Sequence, residues 1–201
     1  MKSKRITTAA LLASAAVFTA ACGQSEEAAQ NAVAVGGTFD FVSPGGETEI
    51  RYAPEDRAPL PEFSGESLME EGATVSLSDF DDQIVVLNSW GQWCAPCRAE
   101  ADDLQRIQEK MQADGSGTVL GINVKDYNRQ IAQDFVLDNG LEYPSLYDPP
   151  FRSAAALGGV PTSVVPTTIV LDKQHRPAAV FLTEITDTKI LDVVEELKKE
   201  A

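Results

Sequence analysis

Residues 83 to 100 read Gln-Ile-Val-Val-Leu-Asn-Ser-Trp-Gly-Gln-Trp-Cys-Ala-Pro-Cys-Arg-Ala-Glu, and this join of strand, paired cysteines and helix restricts the fold more than any other stretch. Ile84 to Leu87 is a run of β-branched and aliphatic residues without alternation, the pattern of a strand covered on both faces of a sheet. From Cys97 the period changes: Ala101, Leu104 and Met111 fall four, seven and fourteen residues on, with Ile107 on the same face, which predicts a helix. A strand feeding a helix leaves the first helical N–H groups unpaired and sets the positive end of the helix dipole at Cys94. Pro96 suits the first turn, because the N–H it lacks has no helical partner there.

That placement fixes the expected chemistry. A thiolate, not a thiol, attacks disulfides, and a helix N-terminus lowers a cysteine pKa from about 8.5 into the range of roughly 3.5 to 7.5. Cys94 is therefore the expected nucleophile. Cys97, one turn into the helix, is placed to resolve a mixed disulfide and release the partner reduced; run backwards, the pair oxidises a dithiol. A zinc knuckle needs four ligands, and one CxxC supplies two, with no second CxxC or histidine pair to complete a tetrahedral site. No metal is expected, and no cofactor beyond the redox-active disulfide Cys94–Cys97.

Upstream, the chain reads as a targeting segment. Lys2, Lys4 and Arg5 form a charged start, Ile6 to Ala21 an apolar or small-residue stretch, and Thr19-Ala20-Ala21-Cys22 a small-residue cleavage site ending in cysteine. The stretch is too short for a membrane span. Cysteine directly after small residues resembles the bacterial lipobox, in which cleavage makes Cys22 the mature N-terminus and its thiol carries lipid. An ordinary signal peptide with an unmodified Cys22 is the competing reading, since Thr19 stands where leucine is usual. Gly23 to Asn31 is polar and small, as a tether after an anchor would be.

Removing the three basic residues of that segment moves the formal charge from −15 to −18. Such a surface does not attract nucleic acid or anionic lipid, and its simplest meaning is solubility outside the membrane. With one of three cysteines assigned to lipid, a single pair remains, and a bridge closing so small a loop restrains little of the unfolded chain. A catalytic pair is the better reading.

Further along, Thr38 to Val42, a Pro44-Gly45-Gly46 turn and Thr48 to Tyr52 predict a small hairpin, and Pro54, Pro59 and Pro61 punctuate a linker. Leu60 to Phe63 and Thr74 to Leu77 give another pair of candidate edge strands. After the CxxC helix come a central parallel strand over Thr118 to Val124 and a helix over Asn128 to Asp138, closed by Asn139-Gly140. Two strands follow over Thr167 to Leu171 and Ala178 to Leu182, then a helix over Thr188 to Lys199. The domain organisation expected is a signal over 1–21, a lipidated tether and hairpin over 22–57, and the core domain over 58–201.

Val85-Val86-Leu87-Asn88-Ser89-Trp90, Trp93-Cys94-Ala95-Pro96-Cys97-Arg98-Ala99-Glu100 and Val165-Pro166-Thr167-Thr168-Ile169-Val170-Leu171-Asp172 together resemble the thioredoxin superfamily. Within it they resemble the membrane-anchored TlpA/ResA-like thiol-disulfide oxidoreductases. The resemblance spans roughly residues 58 to 200 and departs at Gly91-Gln92, where the family more often has Ala-Thr or Ala-Ser. It implies an α/β thioredoxin fold: a central mixed β-sheet flanked by helices, with an N-terminal β-hairpin extension. Pro166, which opens a strand directly, corresponds to the family's cis-proline, ahead of its rival Pro161; the neighbouring Val165 backbone would then be free to pair with an extended substrate. Glu100 matches the acid that ResA-like proteins keep after the second cysteine, where it would tune a thiol or carry protons; a solvated helix charge is the alternative. Trp93 is expected in the docking surface, Trp90 as readily in the core, and His175 in a surface turn.

The function these observations imply is disulfide exchange with exported proteins at the extracytoplasmic face of a bacterial cell membrane. The resemblance implies a reductant of apocytochrome c cysteines, recharged by a membrane electron donor. An oxidant that assists the folding of secreted proteins is the alternative direction, passing electrons to a membrane acceptor. A partner-binding lipoprotein without catalysis is the alternative of another class. A peroxidase is disfavoured, because no Pro-x-x-x-Thr-x-x-Cys setting is present.

Overall fold

The computed structural model describes residues 37–200. Its elements run β1 (Glu49–Arg51), β2 (Ser64–Glu66), β3 (Thr74–Ser76), β4 (Ile84–Trp90), α1 (Ala95–Ala99), α2 (Ala101–Asp114), β5 (Gly117–Asn123), α3 (Arg129–Asp138), β6 (Ser145–Tyr147), β7 (Thr167–Leu171), β8 (Pro177–Phe181) and α4 (Asp187–Lys199). The signal segment, Cys22 and the start of the tether lie outside the described residues.

The strand before the cysteines is buried at every position. Ile84, Val86 and Trp90 point into one apolar cluster and Val85 and Leu87 into the other, so both faces of the pleat are covered and no polar alternation is needed. β4 lies mid-sheet in the order β1-β8-β7-β4-β5-β6. It pairs parallel with β5 and antiparallel with β7, as Leu87 faces Leu120 on one side and Ile169 on the other. The sheet is therefore mixed, with β5–β6 parallel and β7–β8 and β1–β8 antiparallel.

One face carries the helices. Leu104, Ile107 and Met111 of α2, Ala132 and Val136 of α3, and Ile190, Val193, Val194 and Leu197 of α4 share a single cluster with Ile84, Val86 and Val170. Each large aliphatic side chain buried this way contributes roughly 1.5–3 kcal/mol. The other face is covered by Phe39, Tyr52, Leu60, Phe63, Leu77, Phe151 and Leu157, from irregular segments and a 3-10 turn over Arg152–Ala156. Thr186 caps α4 and Asn128 caps α3, each side chain accepting from a backbone N–H in the first turn.

Several expectations need correction. Thr38 to Val42 forms no strand, and Pro44–Gly46 is a 3-10 turn in which Gly45 and Gly46 take φ of 65° and 75°. β1 pairs instead with β8, Glu49 opposite Phe181 and Arg51 opposite Ala179, with Tyr52 N donating to Ala178 O at 2.9 Å. That arrangement buries Ile50 and Tyr52 against Phe39, whose ring meets Tyr52 edge-on at 5.3 Å. Of the second expected pair, β3 lies where Thr74 to Leu77 was read, but its partner is β2, immediately after Leu60 to Phe63, with Ser64 opposite Ser76. The sheet thus takes in residues ahead of residue 58.

The helix expected from Cys97 onward is two helices meeting at Glu100, whose ψ of −3° bends the axis while Glu100 N still donates to Pro96 O and Leu104 N to Glu100 O. His175 is not at the surface. Asp172 accepts from Gln174 N, Arg176 N and Arg176 Nε, folding the turn under so that His175 is 9 % exposed and its Nε2 lies 3.0 Å from Phe80 O.

Candidate active site

Cys94 and Cys97 form a disulfide at the junction of β4 with α1. Cys94 is the N-cap of α1, and its Sγ accepts from the Cys97 N–H at 3.2 Å. The same sulfur lies 3.5 Å from Val165 O, across the loop that ends in the cis Val165–Pro166 bond. Strand β7 begins at Thr167, so Pro166 sits where the loop enters the sheet, beside the sulfurs. A backbone N–H aimed at Sγ stabilises negative charge on it, which favours a thiolate at Cys94 once the disulfide is opened. Both cysteines are nearly covered, 3 % exposed each, so an attacking partner meets a narrow opening.

The loop between β4 and α1 is held by groups that sequence reasoning passed over. Asp126 accepts from Gln92 N and from Asn123 Nδ2, both at 2.7 Å. Arg98 Nη1 donates to Gln92 O at 2.7 Å. Trp93 stands out at 46 % exposure, its indole N–H donating to Val124 O at 3.0 Å and Lys125 Nζ 5.6 Å from its ring. Trp90 is core, against Phe135. Gly91, where the sequence departs from Ala, is needed here: a Cβ would collide with the Trp93 indole and lie 2.8 Å from Val124 O.

Glu100 is fully buried, which removes the solvated-charge reading. Asn88 Nδ2 donates to Oε1 at 2.9 Å and Ile185 N to Oε2 at 3.0 Å. Burial pushes its pKa up to about 7; those two hydrogen bonds lower it in part, and the charges of Glu184 and Asp103 raise it further. Asn88 is itself buried and also donates to Thr168 Oγ1 at 3.0 Å, so one amide joins the CxxC helix to the strand after Pro166. A lone Asn inside an aliphatic strand was the signal available for it. Around the sulfurs the structure brings together Trp93, Cys94, Cys97, Val165 and Pro166, while Glu100 caps the end of α1 three residues after Cys97 and bonds Asn88 and Ile185. Cys22 lies outside the described residues. Among the described residues no cluster of three His, Cys, Asp or Glu side chains is placed to hold a metal, and no helix is long and apolar enough to cross a membrane.

Residues 56–176 match the AhpC/TSA family. Among solved structures, the chain is similar to a secreted thiol-disulfide isomerase from Corynebacterium glutamicum, with 67% identity and a TM-score of 0.79 over 81% of this chain and 98% of that one. It is similar also to a DsbF homologue from Corynebacterium diphtheriae, with 62% identity and a TM-score of 0.76 over 80% of this chain and 99% of that one. Thiol-disulfide oxidoreductase ResA of Halalkalibacterium halodurans is 26% identical over 131 residues, covering 65% of this chain and 72% of that protein.

Proposed function

We propose that this chain, which belongs to the AhpC/TSA family and is a thioredoxin-fold thiol-disulfide oxidoreductase of the TlpA/ResA-like group, exchanges disulfides with secreted proteins as they fold. The observation that carries the reading is the Cys94–Cys97 disulfide at the head of α1, faced by the Val165–Pro166 loop at 3.5 Å. In the oxidising direction a client thiolate attacks Cys94 Sγ, the bond between Cys94 and Cys97 breaks, and Cys97 leaves as a thiolate. Glu100, as the acid, gives Cys97 its proton. A second client thiolate then attacks the client sulfur joined to Cys94, forming the client disulfide and releasing Cys94 as a thiolate stabilised by the Cys97 N–H. In reverse, Cys94 attacks, Glu100 takes the Cys97 proton, and Cys97 resolves.

No backbone hydrogen bond among the described residues engages the Val165 N–H, which leaves it open to an extended client beside Pro166, with Trp93 on the rim. Cys22 anchors the protein by lipid at the extracytoplasmic face of the membrane, a reading supported by Thr19-Ala20-Ala21-Cys22, and a membrane electron carrier resets the pair. The first reading is supported by the 67% identity to a secreted thiol-disulfide isomerase; that the clients are secreted too is our inference from that location. Reduction of apocytochrome c is the second reading, supported by the similarity to ResA at 26%.

Cys97→Ser tests both. The variant should accumulate joined by disulfide to its clients, because the resolving sulfur is gone. Varied secreted proteins with several cysteines support the first reading; proteins carrying Cys-x-x-Cys-His support the second. Adducts recovered with Cys94→Ser and not with Cys97→Ser would reverse the roles of the sulfurs.

A further inference from the structure

Both oxygens of Glu100 face donors, an arrangement that suits the carboxylate. Yet burial holds its pKa near 7, so the acid is also populated around neutral pH, and the acid needs an acceptor for its O–H. Ile185 N–H is a backbone amide and can only donate. The other neighbour is Asn88, a primary amide with a donor end and an acceptor end. Its Nδ2 serves both Glu100 and Thr168 Oγ1, while its Oδ1 is buried and has no partner.

We propose that Asn88 is a positioning residue that serves both ionisation states of Glu100 by turning its side-chain amide over, with the Thr168 hydroxyl reversing alongside it. With the carboxylate, Nδ2 donates to Glu100 Oε1 and to Thr168 Oγ1. With the acid, Oδ1 occupies that place and accepts from Glu100 Oε1–H and from Thr168 Oγ–H. Each arrangement has two hydrogen bonds and one unpaired amide atom, so the turn loses no bond and needs no backbone movement. Threonine suits the position because a hydroxyl both donates and accepts. The groups that face Glu100 are otherwise fixed in kind: Asp103 from α2 and Glu184 beside Ile185 disfavour its charge, and Tyr143, ahead of β6, is buried nearby. The two carboxylates cannot donate while ionised and the Tyr143 hydroxyl is not bonded to Glu100, so of the groups hydrogen-bonded to its carboxyl only the amide can exchange a donor for an acceptor at Oε1.

The inference rests on the reading of Glu100 as the proton carrier for Cys97, and the two can fail separately. In the oxidised protein neither cysteine titrates, so NMR of the Asn88 side-chain amide and the Glu100 carboxyl carbon between pH 5 and 9 isolates the pair. Both signals should move with one midpoint. Glu100→Gln places an N–H₂ where the acid O–H stands, with its oxygen toward Ile185 N; the Asn88 signals should then stay near their low-pH native positions at every pH. Asn88→Leu takes a partner from both ionisation states, and because the carboxylate loses the stronger, charge-assisted bond the Glu100 midpoint should rise by less than about one pH unit.

Asn88 signals that do not move through the Glu100 midpoint, or that rest at their high-pH positions in Glu100→Gln, would overturn the inference. So would a Glu100 that does not titrate in this range. A pH profile of exchange identical in native protein and Glu100→Gln would instead remove the proton-carrier role, leaving the amide turn to be judged by the NMR alone.

Discussion

Replacing Glu100 by Gln should stabilise the protein at alkaline pH and do progressively less as the pH falls. The carboxyl has a folded pKa of about 7 against 4.5 in an open chain, because it is buried. Below about pH 4.5 it is protonated in both states and exacts no penalty. Between about 4.5 and 7 the unfolded chain ionises while the folded protein keeps its proton, so native stability falls by about 1.4 kcal/mol per pH unit. Above 7 both states are ionised and the loss levels off at about 3 kcal/mol. Gln does not titrate, and its amide suits Ile185 N and a turned Asn88, so Glu100→Gln escapes that slope. Guanidinium unfolding of the disulfide-intact proteins at pH 4.5, 6 and 8 measures it. The stability difference, Gln minus Glu, should grow by about 3 kcal/mol across the series. A difference that stays constant with pH would refute the reasoning, since it would mean that burial does not hold the proton. A natural chain that tolerates such a slope retains the carboxyl for something other than stability, which is consistent with proton transfer at Cys97.

In the reduced protein, alkylation against pH should show Cys94 titrating well below an ordinary thiol, in the range of roughly 3.5 to 7.5, and Cys97 not; equal profiles would remove the assignment of attacking sulfur. Cys22→Ala should shift the protein out of the membrane fraction without changing thiol exchange in vitro, and unchanged membrane association would count against the lipid anchor. Gly91→Ala should displace the Trp93 indole from Val124 O, cost about 1–3 kcal/mol and weaken client exchange. An unaltered Trp93 indole N–H resonance in that variant would show the loop to be more yielding than its contacts indicate.

Strand β4, the capped helix behind it and Pro166 were legible because each is local: a run of aliphatics, a change of period, a proline opening a strand. The pairing of β1 was not, since its partner lies some 130 residues on, where Glu49 meets Phe181, and Thr38 to Val42 offered a nearer and plausible mate. β6, the three residues directly after Pro144, is too short to show a period. His175 looked superficial because its neighbours are polar; Asp172 turns those same polar groups into a tight fold that carries the ring inward. At the site the sulfurs were plain from their spacing, and Glu100 was singled out only through the resemblance. Asn88, Thr168 and Asp126 matter through contacts across the fold, Asn88 to Thr168 being eighty residues apart, and a single sequence does not display such partners.

The two outer strands of the central sheet have a bearing on what kind of client the protein can safely handle. Unfolded chains seek open strand edges, and an enzyme that engages them risks nucleating their aggregation. Here β8 is shielded by β1, which Glu49–Lys189 and Arg51–Glu196 ion pairs fasten to α4. At the far side β6 is met by Ser67 bridging Leu146, with Leu68 N donating to Ser145 O. With both margins blunted by such short pieces, a client docking as a strand under the proposed function would be left the Val165 backbone beside the sulfurs, where contact would end in bond exchange and release instead of sheet growth.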